Sequence, residues 1–182
     1  MTQAVLSGIQ AEAFARQVKE LEAARQALHH QAHHDPLTGL PNREQVTAFA
    51  RTQRGRALAV LGLDLNGFKQ VNDSLGHSAG DRLLQEVGRR LATGLRDGDL
   101  AGRTGGDEFV ILMPGADRRT AGDLADRLRD EVRRPVGIDG RQVRVGVSIG
   151  IACRAAGEDI DLDTLSRDAD AAMYEDKSLS RH

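Results

Sequence analysis

Apolar positions along the chain fall into blocks whose spacing switches between helix-like and strand-like. Residues 1–33 contain no proline and one early glycine. Counting sevens puts Ser7, Phe14, Leu21 and Leu28 on one row, with Ala4, Ala11, Val18, Arg25 and Ala32 beside it. One long helix is predicted, either amphipathic and packed on its own domain or one strand of a two-stranded coiled coil. Its protrusion beyond the globular pattern favours the coiled coil. Pro36, Gly39 and Pro41 break this helix. A helix from Arg43 to about Arg51 follows, and then Ala57-Leu58-Ala59-Val60-Leu61-Gly62-Leu63 reads as a buried central strand ending at Asp64. Leu83, Leu84, Val87, Leu91 and Leu95 recur at helical spacing, and Gly105-Gly106 marks a hairpin. Asp123 to Val132 is a second amphipathic helix. Asp139-Gly140 is a turn signal ahead of the alternating Val143, Val145, Val147, Ile149 and Ile151, and a last helix covers Leu162 to Leu179.

Strand, helix, hairpin, helix, strand is the βαββαβ order of an α+β, ferredoxin-like antiparallel sheet with flanking helices. The expected organisation is an N-terminal helix over 1–33 and one domain over 34–182. In that topology the third strand runs antiparallel between the first two, which makes Asp64 a neighbour of Asp107. The turn Arg103-Thr104-Gly105-Gly106-Asp107-Glu108-Phe109 is then of interest. Glycines there permit a positive φ and let a ligand approach the backbone where a Cβ would block it. The paired acids are either a cation site or ordinary solvated turn residues, and Asp64 nearby favours the cation.

Composition narrows the field. A net charge of −2 and 3% aromatics with no tryptophan argue against a nucleic-acid binder, which would show a basic stripe and stacking rings. Cys153 stands alone, so no intrachain disulfide forms, and a reducing, cytoplasmic setting fits. No signal core and no run near the ~20 apolar residues of a membrane span are present, so no membrane partner is expected.

The segment from Asp64 to Asp81 reads as a dense polar loop between a buried strand and a helix. Within it, the Asp81 carboxylate can accept from the N1–H and amine of a guanine, and the Asn72 amide can donate to an acceptor. Lys177 and Arg181, four apart on the last helix, suit a phosphate clamp or a solvated basic helix end. Arg96-Asp97-Gly98-Asp99, taken alone, is a helix-ending turn. His29, His30, His33 and His34 form i,i+4 pairs without an acidic companion pattern and read as a polar helix end.

Together these residues resemble the GGDEF family, the diguanylate cyclases, over about 33–182. The opening turn matches at Asp35, Leu37, Thr38, Leu40, Asn42 and Arg43. The segment after the first strand matches at Asp64, Phe68, Lys69, Asn72, Asp73, Gly76, His77, Gly80 and Asp81. The signature is intact at Gly105–Phe109, and Ala172, Met173, Tyr174 and Lys177 complete the C-terminal pattern. The resemblance implies condensation of two GTP to cyclic di-GMP and two pyrophosphates between the facing sites of a homodimer. It implies Mg²⁺ or Mn²⁺ on Asp64, Asp107 and the Leu65 carbonyl, with Glu108 as further metal or acid–base support. Gly105 and Gly106 would receive the nucleotide, Asn72 and Asp81 would read guanine, and Phe68 and His77 would belong to the substrate site. Lys69, Lys177 and Arg181 would hold phosphates. Arg96 and Asp99 match an inhibitory site for the product, with Arg127 as a secondary contact. The N-terminal helix resembles the coiled coils that join such domains to an upstream sensor. Two departures stand out: Asn66 replaces an Asp common in the family, and Asp176 and Ser180 replace small residues.

Overall fold

The computed structural model describes the chain from Thr2 to Leu179, with side chains described for residues 12–26, 28 and 32–175. It divides into two compact units, Met1–His34 and Asp35–His182. The first is one helix, α1 (Thr2–His33), on which Phe14, Val18, Leu21 and Leu28 are all exposed.

The second unit follows the expected order with additions. A short helix α2 (Arg43–Thr52), N-capped by the Asn42 side chain on the Gln45 N–H, precedes the central strand β1 (Leu58–Asn66). Then come α3 (Phe68–Leu75), α4 (His77–Thr93), and the hairpin strands β2 (Leu100–Arg103) and β3 (Glu108–Pro114). Helix α5 (Arg118–Arg133), a small two-stranded ribbon of β4 (Val136–Ile138) and β5 (Arg141–Val143), β6 (Gly146–Arg154) and α6 (Leu162–Leu179) complete it. The main sheet has the order β2-β3-β1-β6, and every neighbouring pair is antiparallel, which is the ferredoxin-like arrangement.

The apolar run predicted as a central strand is central because both its faces are covered. Ala59, Leu61, Leu63 and Leu65 meet Leu83, Val87, Leu91, Leu124 and Leu128 of α4 and α5. Leu58 and Val60 turn the other way, toward Val46 and Ala50 of α2 and Leu165 and Ala169 of α6. On that second face Gly62 pairs with Gly150, and a Cβ on Gly150 would overlap the Ala169 carbonyl of α6. Arg154, 4% exposed, laces the far edge by donating to the carbonyls of Gln53, Arg56 and Ile160.

Several boundaries differ from the periodicity reading. The polar segment after β1 is helical: Gly67 (φ 86) starts α3 and Gly76 (φ 85) separates it from α4. Phe68, Val71 and Leu75 give α3 its inner face, so its polar residues lie on a folded helix instead of a loop. Helix α5 begins earlier than Asp123, because Asp117 accepts from the Thr120 N–H as N-cap. The alternating run from Val143 is interrupted between β5 and β6. Among the described residues, no helix is long and apolar enough to cross a membrane.

Candidate active site

The site is built where β1 ends beside the hairpin. Asp64 lies directly opposite Glu108 on β3 and opposite Ser148 on β6. One residue on, the Leu65 N–H donates to the Asp107 carbonyl at 3.2 Å, so the expected proximity of Asp64 to the paired acids is written into the ladder. Like charges directly across a sheet repel, and a cation between them relieves that repulsion. Asp64, Asp107 and the Leu65 carbonyl are oxygen donors suited to a hard divalent ion that takes few protein carboxylates and leaves positions for substrate phosphates. Among the described residues no group of three or more His, Cys, Asp or Glu forms a ready cage, in keeping with so sparse a donor set.

The hairpin glycines do not serve a left-handed turn, since neither Gly105 nor Gly106 has a positive φ. A Cβ on Gly105 would lie 2.5 Å from a Glu108 carboxylate oxygen, whereas nothing lies within 4 Å of one on Gly106. The positive φ expected at this tip is therefore absent, and the space beside Gly106 is open. The tip is fixed from outside by Arg103, which sequence reasoning did not single out. Its guanidinium donates to the Gly106 carbonyl at 2.7 and 3.2 Å and to both Asp35 oxygens at 3.0 Å. Burial raises the Asp35 pKa, but the Thr38 hydroxyl and N–H and the Arg103 charge outweigh it and bring it below the ordinary carboxylate value. An arginine two residues before the glycine tip was the available signal, but its partner is 68 residues away.

Asn72 and Asp81 come from the adjoining helices α3 and α4. The Asn72 side chain lies against the backbone of Gly80, where a Cβ would overlap its Oδ1. That Oδ1 is buried without a hydrogen-bond partner among the described residues. Asn72 is thus brought next to Asp81, and Asp81 itself is exposed. Phe68 is half-buried against the core beneath them, Lys69 is exposed in the first turn of α3, and His77 opens α4. No side chain caps the N-terminus of α3, which follows β1 through Gly67 alone. Uncapped N–H groups at such a strand-to-helix junction favour an anion. The Lys177 side chain and Arg181 lie outside the described residues, as do the side chains of His29 and His30.

A cavity of about 400 Å³ lies under Glu108 between α2 and α6, its wall including Arg43, Gly62, Asp170 and Met173. On the opposite side, the turn after α4 brings the inhibitory-site candidates together. The Arg96 Nε donates to Asp99 at 3.1 Å and its Nη2 to the Pro114 carbonyl at 3.0 Å. The Asp99 side chain is 2% exposed, and that of Arg96 is 53% exposed. Arg127 reaches the Gly94 carbonyl at 3.4 Å, two residues before Arg96.

The family model described as "Diguanylate cyclase, GGDEF domain" matches residues 32–182. Diguanylate cyclase TpbB of Pseudomonas aeruginosa is 40% identical over 173 residues, covering 88% of this chain and 39% of that protein. The chain spans about a fifth to two fifths of the curated relatives it matches. Among solved structures, the coiled coil and GGDEF domain of DgcB from Caulobacter crescentus, in complex with c-di-GMP, aligns with TM-score 0.83 at 26% identity, covering 95% of this chain and 94% of that one. Diguanylate cyclase SiaD from Pseudomonas aeruginosa, in complex with its activator SiaC, aligns with TM-score 0.75 at 35% identity, over 97% of this chain and 70% of that one. With the hairpin acids, the ladder position of Asp64 and the Asn72–Asp81 juxtaposition, these likenesses lead to one conclusion: the chain belongs to the diguanylate cyclase GGDEF-domain family.

Proposed function

We propose that the chain condenses two GTP into cyclic di-GMP with release of two pyrophosphates, each subunit of a homodimer contributing one nucleotide. The observation that carries this reading is the ladder junction: Asp64 opposite Glu108, with Leu65 bonded to Asp107. Beside it, Asn72 and Asp81 read the guanine edge, the amide donating and the carboxylate accepting. Lys69, Lys177 and Arg181 hold phosphates, and the uncapped N-terminus of α3 favours an anion. The open face of Gly106 lets the nucleotide lie against the hairpin.

Asp64, Asp107 and the Leu65 carbonyl hold Mg²⁺ or Mn²⁺, which when bound neutralises phosphate charge and polarises the α-phosphate. Glu108 adds a carboxylate for the same ion or for the proton of the attacking 3′-hydroxyl. Each 3′-hydroxyl attacks the α-phosphate of the opposing nucleotide, so one subunit alone holds half of the reaction. The exposed row Phe14, Leu21 and Leu28, with Val18 beside it, supports pairing of α1 with a second copy as a coiled coil. An upstream sensor would act through that helix by setting how the two domains meet. Arg96, Asp99 and Arg127 form the product-binding brake: the Arg96 fork takes phosphate or guanine, and Asp99 accepts from a guanine edge.

Incubation with GTP and Mg²⁺ should yield cyclic di-GMP and pyrophosphate. Asp64→Ala and Asp107→Ala should abolish product, and Arg96→Ala should keep turnover while relieving inhibition by added product. Bound GTP with no product at high protein concentration would replace the cyclase reading with that of a nucleotide receptor. Full activity in Asp107→Ala would overturn the metal assignment.

A further inference from the structure

Ser148 is one of three buried polar or charged residues among those described, the others being Gln53 and Arg154. It lies opposite Asp64 across the β1–β6 ladder, so Glu108, Asp64 and Ser148 make one row on one face of the sheet. Asn66, two residues beyond Asp64, shares that face. Its Nδ2 donates to the Ser148 Oγ at 2.9 Å, and that hydroxyl lies 3.2 Å from the Asn66 Oδ1, to which it can donate. A buried hydroxyl needs a partner, and Asn66 is the one provided. An aspartate at position 66 could accept from Ser148 but could not donate to it. It would also add a charge at the edge where Asp64, Asp107 and Glu108 already gather.

We propose that the Asn66–Ser148 pair is a positioning and charge-setting element of the cation site: Ser148 holds a neutral amide beside Asp64, and this keeps divalent-ion affinity low. The inference rests on the metal assignment made above for the cyclase. Its consequence is that the ion binds mainly in company with nucleotide phosphates, which supply the missing negative charge.

The test is a Mn²⁺ titration of the full chain carrying 3′-deoxy-GTP, which lacks the attacking hydroxyl. The free ion is read by electron paramagnetic resonance against nucleotide alone. Asn66→Asp should tighten Mn²⁺ by about five- to tenfold, the scale of one more negative charge near a divalent ion after partial screening. Ser148→Ala should tighten it by about two- to threefold, because the neutral amide is no longer held beside Asp64, and Ser148→Thr, which keeps the hydroxyl, should restore the low affinity. Asp64→Ala is the control. Binding that does not depend on Asp64 overturns the metal assignment and this inference together. Asp64-dependent binding with Asn66→Asp within twofold of the unaltered chain overturns the inference alone. A merely structural pair would shift the melting temperature in these variants and leave Mn²⁺ affinity unchanged, and that result also overturns it. Should Ser148→Ala fail to fold, the exposed Asn66→Asp variant still decides.

Discussion

The domain has two glycine-bearing hairpin turns, and they use glycine for different ends. At Asp139-Gly140 both residues have positive φ, 49° and 75°, the twist that a two-residue turn needs to join right-twisted strands. At Gly105-Gly106 no such backbone is present; the first glycine makes room for Glu108 and the second leaves open space. One turn needs its glycine for conformation and the other for space. A substitution should therefore harm stability at the first and chemistry at the second.

The largest expected effect follows from that contrast. Gly106→Val should reduce cyclic di-GMP formation by at least about 100-fold, because a misplaced nucleotide loses its near-attack geometry. Its melting temperature should stay within about 2 °C, since a Cβ at this position meets nothing within 4 Å. A comparable loss of stability would show that the glycine is conformational after all. Next, Arg103→Met tests what the access-type turn rests on. It leaves Asp35 without its cation and the Gly106 carbonyl without its donor, and should cost about 2–3 kcal/mol in urea unfolding and about tenfold in turnover. An unchanged stability would separate the pair from the hairpin. Gly140→Val should then cost about 1–2 kcal/mol through its left-handed backbone and leave turnover within twofold. A large activity loss there would break the contrast.

The smallest effect lies remote from both turns, on α4. Hydrogen bonds from Arg89, with those from Arg90, outweigh burial and hold the Glu86 pKa down to about 2 from 4.5. A depressed carboxyl contributes stability that is full above about 4.5 and is lost as the pH falls toward 2. Glu86→Gln should flatten that acid limb by about 1 kcal/mol, the scale of a solvent-screened pair. No difference in acid unfolding midpoints would remove Glu86 as the cause.

Most of the sheet could be read from the chain because its strands bury apolar residues at unmistakable spacing, Leu58 to Leu65 above all. Helix α3 could not, since its inner face rests on only Phe68, Val71 and Leu75 among polar neighbours, and two glycines bracket it. The adjacency of Asp64 and Asp107 followed from topology alone. Topology does not reveal which side chain steadies a turn, so the Arg103–Asp35 and Asn66–Ser148 pairs emerged only in three dimensions. Each joins residues more than 60 positions apart. Ser148 left one trace, a hydroxyl between the apolar Val147 and Ile149.

The bond from the Leu65 N–H to the Asp107 carbonyl makes the spacing of the proposed cation site a property of strand registration. Substitutions around it leave that spacing intact, but a one-residue deletion within β1 would turn Asp64 from one face of the sheet to the other. Over evolutionary time this corner can drift in sequence, yet it cannot gain or lose a residue.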